Sequence, residues 1–334
     1  MRTLLPAASA ALALTVPLAA QDAAKPAAPA PSEIVAAAPR ADWTPIPAED
    51  LLVMTLAPDA DGKPRQVVIQ LIPAPFSQGW VHNIRLLARA KWYDGISVNR
   101  VQDNYVTQWG DPNYDNPEAT GKPKPLPQGL KVMTQAEYAA PASIICCDIN
   151  GNHNIPKQGW WPRSDHFRLR DSYSQNPGIL NGFPAAHDRT SVWPTHCYGM
   201  VGVGRNYSPD TGSGAELYTV IGHAPRHLDR NIALVGRVVE GMQFLSSLPR
   251  GSGDLGFYTA AEADKRTPIL TVRVASDLPP AEQPKFEYLS TESGTFAAYA
   301  EAIANRRDPF FIVPAGGADI CNIKVPVRRV VAGQ

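Results

Sequence analysis

Two turn signals, Tyr93-Asp94-Gly95 and Gly110-Asp111-Pro112, bracket a stretch in which Ile96, Val98, Val101, Tyr105 and Val106 are apolar or β-branched. Asp-Gly favours a tight turn, and so does a Gly-Asp-Pro cluster. Between them there is room for two short strands joined by an irregular loop. The polar residues fall at fixed places. Arg100 ends the first strand, and Tyr105 and Gln108 face it from the second. Such a pair makes a small groove with a fixed cation, an amide, an aromatic floor and no nucleophile. A lone arginine is ordinarily a solvated surface charge, but these neighbours give Arg100 something to act with.

The chain before this stretch has a readable order. Leu51–Leu56 is a strand, Pro58–Lys63 turns it, and Val67–Leu71 returns as the second arm of a hairpin. Pro75 then leads into a helix with Trp80, Ile84, Leu87 and Ala88 on one face. Later, Gly199–Gly204 and Glu216–Gly222 read as strand-like blocks, followed by Leu228–Met242. Glu240–Leu248 is expected to be a helix closed by Pro249, and Ile269–Val274 a closing strand. Beyond Pro279, Thr295–Ala304 is a candidate helix and Phe310–Val313 a candidate strand.

The spacing Arg-x4-aromatic-x2-Gln-x-Gly-Asp, four residues after Tyr-Asp-Gly, resembles the active-site signature of the cyclophilin-type peptidyl-prolyl isomerases. The likeness covers about residues 67–111 and 199–275. It implies a mainly β fold, an eight-stranded antiparallel barrel capped by two helices. A long irregular insertion (112–198) and a C-terminal extension (279–334) would be added to a domain spanning 46–278. Closure of such a barrel removes sheet edges. Proline-rich residues 112–198 include one strand-like run, Ala142–Cys147, and are expected to be ordered by their own aromatic and apolar side chains.

The resemblance also implies roles. Arg100 matches the arginine that donates hydrogen bonds around the substrate proline, Gln108 the glutamine that holds arginine and substrate backbone. Tyr105 stands where the family has a phenylalanine at the floor of the proline pocket, and Val106 where it usually has methionine. Gly204 replaces a small alanine lining the groove. Glu216, Leu217 and Tyr218 replace a Gln-Phe-Phe run, which makes Leu217 the expected pocket wall. His227 lies where many members carry a tryptophan, Leu228 is retained, and Ile232 stands where many have histidine. The implied activity is isomerisation of Xaa-Pro bonds in proline-containing polypeptides, without cofactor, metal or covalent intermediate. The alternative is a catalytically weak proline-peptide binding module or chaperone on the same fold.

Charge and processing signals narrow the setting. Lys+Arg 31 against Asp+Glu 31 leaves no basic footprint for nucleic acid or anionic lipid. Arg2, the apolar run Leu4–Leu18 and Leu18-Ala19-Ala20 fit a secretory signal peptide cleaved near Ala20, and hence an exported, periplasmic protein. That run is too short for a membrane span, and none longer follows. The Ala/Pro-rich residues 21–45 read as a linker. Four cysteines, Cys146, Cys147, Cys197 and Cys321, permit disulfides in such a compartment. Cys146 or Cys147 is expected to pair with Cys197 or Cys321.

Other motifs read more simply as structure. Asp210-Thr211-Gly212-Ser213 has the letters of an aspartic-protease motif but no second copy, and reads as a turn. His223 and His227 are four apart, yet Pro225 interrupts the helix a metal pair would need. Cys146, Cys147, Asp148, His153 and His166 could be drawn as a zinc set, although exported thiols more often form disulfides. Gly199-x-x-Gly202-x-Gly204 lacks the third glycine of a dinucleotide loop.

Overall fold

In the computed structural model the described residues are 28–114, 116–145, 159–162 and 171–330. In chain order the helices are α1 (Pro31–Ala36), α2 (Gln78–Arg89), α3 (Gln243–Ser246) and α4 (Gly294–Ala304). The strands begin with β1 (Trp43–Ile46), β2 (Leu51–Leu56), β3 (Arg65–Leu71), β4 (Ser97–Val101) and β5 (Val106–Gly110). They continue with β6 (Ala140–Pro141), β7 (Asn176–Leu180), β8 (Phe183–His187), β9 (Ser191–Pro194) and β10 (Met200–Val203). The last five are β11 (Leu217–Val220), β12 (Leu234–Glu240), β13 (Ile269–Val274), β14 (Phe286–Leu289) and β15 (Val327–Arg329).

Eight strands pair in the order β13-β2-β3-β12-β10-β11-β5-β4. The ends of this antiparallel sheet meet where Val98 N–H donates to the Thr267 carbonyl at 2.9 Å and Ile269 N–H to the Ile96 carbonyl at 2.8 Å. The barrel is thereby nearly closed. Alternating side chains fill it, among them Leu52, Met54, Val67, Ile69, Val98, Trp109, Val203 and Leu217. Trp80, Ile84 and Leu87 of α2 are fully buried against this interior, each contributing about 1.5–3 kcal/mol by removal from water. Asp94 of the Asp-Gly turn takes a two-pronged pair from Arg273 of β13, at 2.7 and 2.8 Å. The turn is therefore tied to the closing strand.

Two smaller sheets flank the barrel. The inserted residues carry a four-stranded sheet, β6-β9-β8-β7, whose Ile179, Leu180, Phe183 and Val192 join the main core. Arg237 of β12 reaches across to hold it, with its Nε donating to Gln70 Oε1 at 2.9 Å and Nη1 to the Gly182 carbonyl at 2.7 Å. A three-stranded sheet, β1-β14-β15, joins the early residues to the tail. Glu287 at its centre is 1% exposed and accepts from Arg40 and Arg328.

Several expectations need correction. The linker expected over 21–45 is structured from Pro31, because α1 packs on α4 and Trp43 pairs with Leu289. Within Ala142–Cys147, residues Ala142–Ile144 form a 3-10 turn, since Ala140–Pro141 alone finds a strand partner; Cys146 and Cys147 lie outside the described residues, as do Asp148, His153 and His166. The helix expected over Glu240–Leu248 shrinks to Gln243–Ser246, because Glu240 still pairs with Val68 and Gly241 breaks the chain at φ 85°. Phe310–Val313 forms no strand, and Phe310 and Ile312 are 84% and 95% exposed. Cys197 bonds to Cys321, with Cα atoms 5.0 Å apart, and to neither Cys146 nor Cys147.

Candidate functional site

Arg100 owes its direction to an irregularity. The register of β4 on β5 shifts between Val98 and Arg100, and such a bulge re-aims the residues after it. Val98 points into the barrel, whereas Arg100, two residues on, faces outward opposite Gln108. Asn99 at the shift is buried and anchored to the Gly110 carbonyl at 3.0 Å. The Arg100 fork donates from Nη1 to Gln108 Oε1 at 3.1 Å, from Nε to the Leu255 carbonyl at 2.7 Å, and from Nη2 to Gln102 Oε1. Three of the five N–H donors of an arginine are used in this way. Tyr105 and Phe257 flank the guanidinium, their ring centres 5.6 and 5.5 Å from Cζ. Burial pulls the Arg100 pKa down from its ordinary value, opposed by Tyr105 and Tyr218. An arginine nonetheless stays charged at ordinary pH.

The far side of the groove comes from β11. Tyr218 sits across from Gln108 on one neighbour and from Gly202 on the other. Val106, Tyr218 and Val220 form a small cluster apart from the main core, with Tyr105 and Ile232 packed on it. The cavity above has a volume of about 610 Å³. Leu255 and Phe257 close one side, and Asn116, Pro117 and Ala119 of the inserted segment another. No serine, cysteine, histidine or carboxylate is among the described residues lining it. Its chemistry is therefore hydrogen-bond donation beside an apolar bed.

Of the residues expected at the site, Arg100, Tyr105, Val106, Gln108, Gly204, Tyr218, Leu228 and Ile232 line this cavity. Three do not. Leu217, expected as the pocket wall, has the opposite parity on β11 and points into the barrel core, pairing with Trp109; the aromatic of β11 that faces the cavity is Tyr218. Glu216 is 4% exposed and lies behind the groove, filling the space that Gly110 leaves open. His227 is exposed and off the cavity. Residues missed from sequence include Gln102, Leu255 and Phe257. Phe257 follows a glycine turn, but nothing local says that this turn folds back on β4, bridging Arg100 to Phe257. Asp210–Ser213 follows the turn at Ser208–Pro209 as irregular chain, with Gly212 N–H donating to Asp210 Oδ1 at 3.0 Å and the Thr211 hydroxyl to the Met133 carbonyl at 2.9 Å.

The family model of the cyclophilin type peptidyl-prolyl cis-trans isomerase/CLD matches residues 66–274, well over half the chain. The chain belongs to the cyclophilin-type peptidyl-prolyl isomerase family. The fold agrees with this. The crystal structure of a cyclophilin from Hirschia baltica superposes with a TM-score of 0.59 at 19% identity, covering 87% of this chain and 95% of that one. A cyclophilin type isomerase from Cryptosporidium parvum, crystallised in the presence of the dipeptide ala-pro, aligns at a TM-score of only 0.34 and 10% identity, over 66% of this chain and 97% of that one. No curated protein sequence matches the chain. The cyclophilin barrel is thus present with two added sheets, which meet where Gly182 lies against the Tyr288 ring. No helix among the described residues is long and apolar enough to cross a membrane.

Proposed function

We propose that the groove accelerates cis-trans isomerisation of Xaa-Pro bonds through Arg100. The observation that carries this is the guanidinium held opposite Gln108 at the rim of an apolar bed made by Val106, Tyr218 and Ile232. The barrier to rotation, ~18–20 kcal/mol, comes from conjugation of the amide nitrogen with its carbonyl. A prolyl ring on the apolar bed loses contact with water favourably. The two N–H groups of Arg100 left over after its three internal bonds are available to the prolyl nitrogen and a neighbouring carbonyl. Drawing the nitrogen lone pair away from conjugation lowers the barrier without breaking a bond. Gln108 keeps the arginine in place and offers its amide N–H to the peptide backbone.

The clients we infer are exported proteins as they fold, for which uncatalysed isomerisation takes tens to hundreds of seconds. The Cys197–Cys321 disulfide supports this setting, because such bonds persist in oxidising compartments.

The test is the isomerisation rate of a short Ala-Pro peptide with wild type and Arg100→Ala side by side. Loss of one preorganised donor at a reacting centre typically costs about 10²-fold or more, and that drop is expected here. No acceleration by folded wild type, alongside measurable binding of a proline peptide, would sink the catalytic reading and leave a binding module.

A further inference from the structure

Beneath the groove floor runs a buried polar chain that the arginine mechanism does not use. The Tyr218 hydroxyl meets His196 Nε2 at 2.9 Å, and His196 Nδ1 meets Asp229 Oδ1 at 2.9 Å. Asp229 also accepts from the His196 backbone N–H at 2.9 Å and from Arg226 Nε at 2.7 Å. Arg226 Nη2 continues to Asp171 Oδ2, again at 2.7 Å, and Asp171 belongs to the inserted segment. His196 is fully buried, Arg226 is 4% exposed and Asp229 8%.

The tautomer of His196 follows from its partners. A carboxylate only accepts, so the nitrogen facing Asp229 carries the proton. Burial disfavours the charged imidazolium, so Nε2 of the neutral ring is an acceptor, and the single hydroxyl hydrogen of Tyr218 points at it. The groove consequently meets the ring of Tyr218 and not its hydroxyl hydrogen. Gly202 makes the arrangement possible, because a Cβ there would lie 2.3 Å from Cζ and from the hydroxyl oxygen of Tyr218. The ring lies flat across β10, with the imidazole nearly parallel to it at 10°.

We propose that His196 is a positioning residue for the prolyl pocket: held by Asp229, it pins the Tyr218 hydroxyl and so fixes the aromatic floor on which the proline ring rests. Through Arg226 and Asp171, the inserted segment sets the shape of that floor. The inference rests on the isomerase reading of the same groove.

Its test is a double-substitution cycle on Ala-Pro peptides of the full chain. Tyr218→Phe keeps the ring and removes the pinned hydroxyl; His196→Leu removes the anchor; the third variant carries both. Because the floor acts by binding the ring, KM is expected to rise about threefold to tenfold in Tyr218→Phe with kcat nearly unchanged. His196→Leu should act in the same way, and its effect on KM should largely vanish in the Tyr218→Phe background. A KM for Tyr218→Phe equal to wild type overturns the proposal, and this arm stands even if His196→Leu fails to fold. Equal effects of His196→Leu in both backgrounds overturn it too, marking a merely structural histidine. Wild type that accelerates nothing is a separate outcome, which removes the isomerase reading; the cycle is then read in the Kd of the same peptide, where an unchanged Kd in Tyr218→Phe likewise overturns the floor assignment.

Discussion

Burying His196 puts its imidazole where a proton is costly to carry. Burial pulls its pKa below the ordinary 6.5, with Asp229 pulling the other way. His187 is lowered for the same first reason. The unfolded chain takes up these protons near pH 6.5, whereas the folded chain does so only at lower pH. Between the two, the unfolded state binds more protons, so stability falls as the pH drops below 6.5. Paired carboxylates such as Asp94 and Asp188, whose pKa values are lowered from 3.8, act in a more acidic window and do not obscure this. Urea midpoints taken from pH 7.5 to pH 5 should decline in wild type and decline less in His196→Gln; parallel curves would refute the histidine as the source. Single residues differed in how legible they were. Arg100, Tyr105 and Gln108 could be read because their offsets lie within one strand pair. The assignment of Leu217 as the pocket wall failed on parity, since one residue along a strand reverses the face. His196 and Asp229 lie 33 positions apart, and no local pattern joins them.

At the level of elements, α2 and the hairpin of β2 and β3 were legible, because helical spacing and an apolar run bounded by turn residues are local signals. The inserted sheet was not, although it carries a strong hairpin signal in Asn181-Gly182. Both residues have positive φ, 51° and 80°, as a tight two-residue turn between β7 and β8 requires. The short, proline-interrupted strands on either side hid it. A Cβ at Gly182 would also stand 3.0 Å from the Tyr288 ring. Gly182→Ala should therefore destabilise by about 1–2 kcal/mol, read as a Tm lower by roughly 2–8 °C for a domain of this size. A Tm equal to wild type would mean that this turn does not hold the sheet to Arg237 and Tyr288. The tail strands escaped the sequence reading for a related reason. Three or four residues make a strand only when a partner is supplied from far away, and Glu287 finds Arg40 across 247 positions.

Across the whole molecule, long-range ties hold the flanking parts to the barrel. The Cys197–Cys321 bridge closes 124 residues and fixes the tail beside the loop that carries His196. Breaking a bridge of this span should cost about 2–5 kcal/mol, mainly by freeing the unfolded chain. Denaturant midpoints with and without a thiol reductant measure that loss, and coincident curves would show that the bridge adds nothing.

The three-stranded sheet has a bearing on the order of assembly. A chain made from its N-terminus presents β1 and α1 well before their partners β14, α4 and β15. The barrel has the same property, because β2 lies beside β13. β1 must therefore wait for its partner, and β2, already paired with β3, keeps its other edge open while much of the chain emerges; exposed strand edges are prone to wrong partners in that interval. A member of a prolyl-isomerase family thus has a long vulnerable period of its own, ended only when the partners of β1 and β2 arrive.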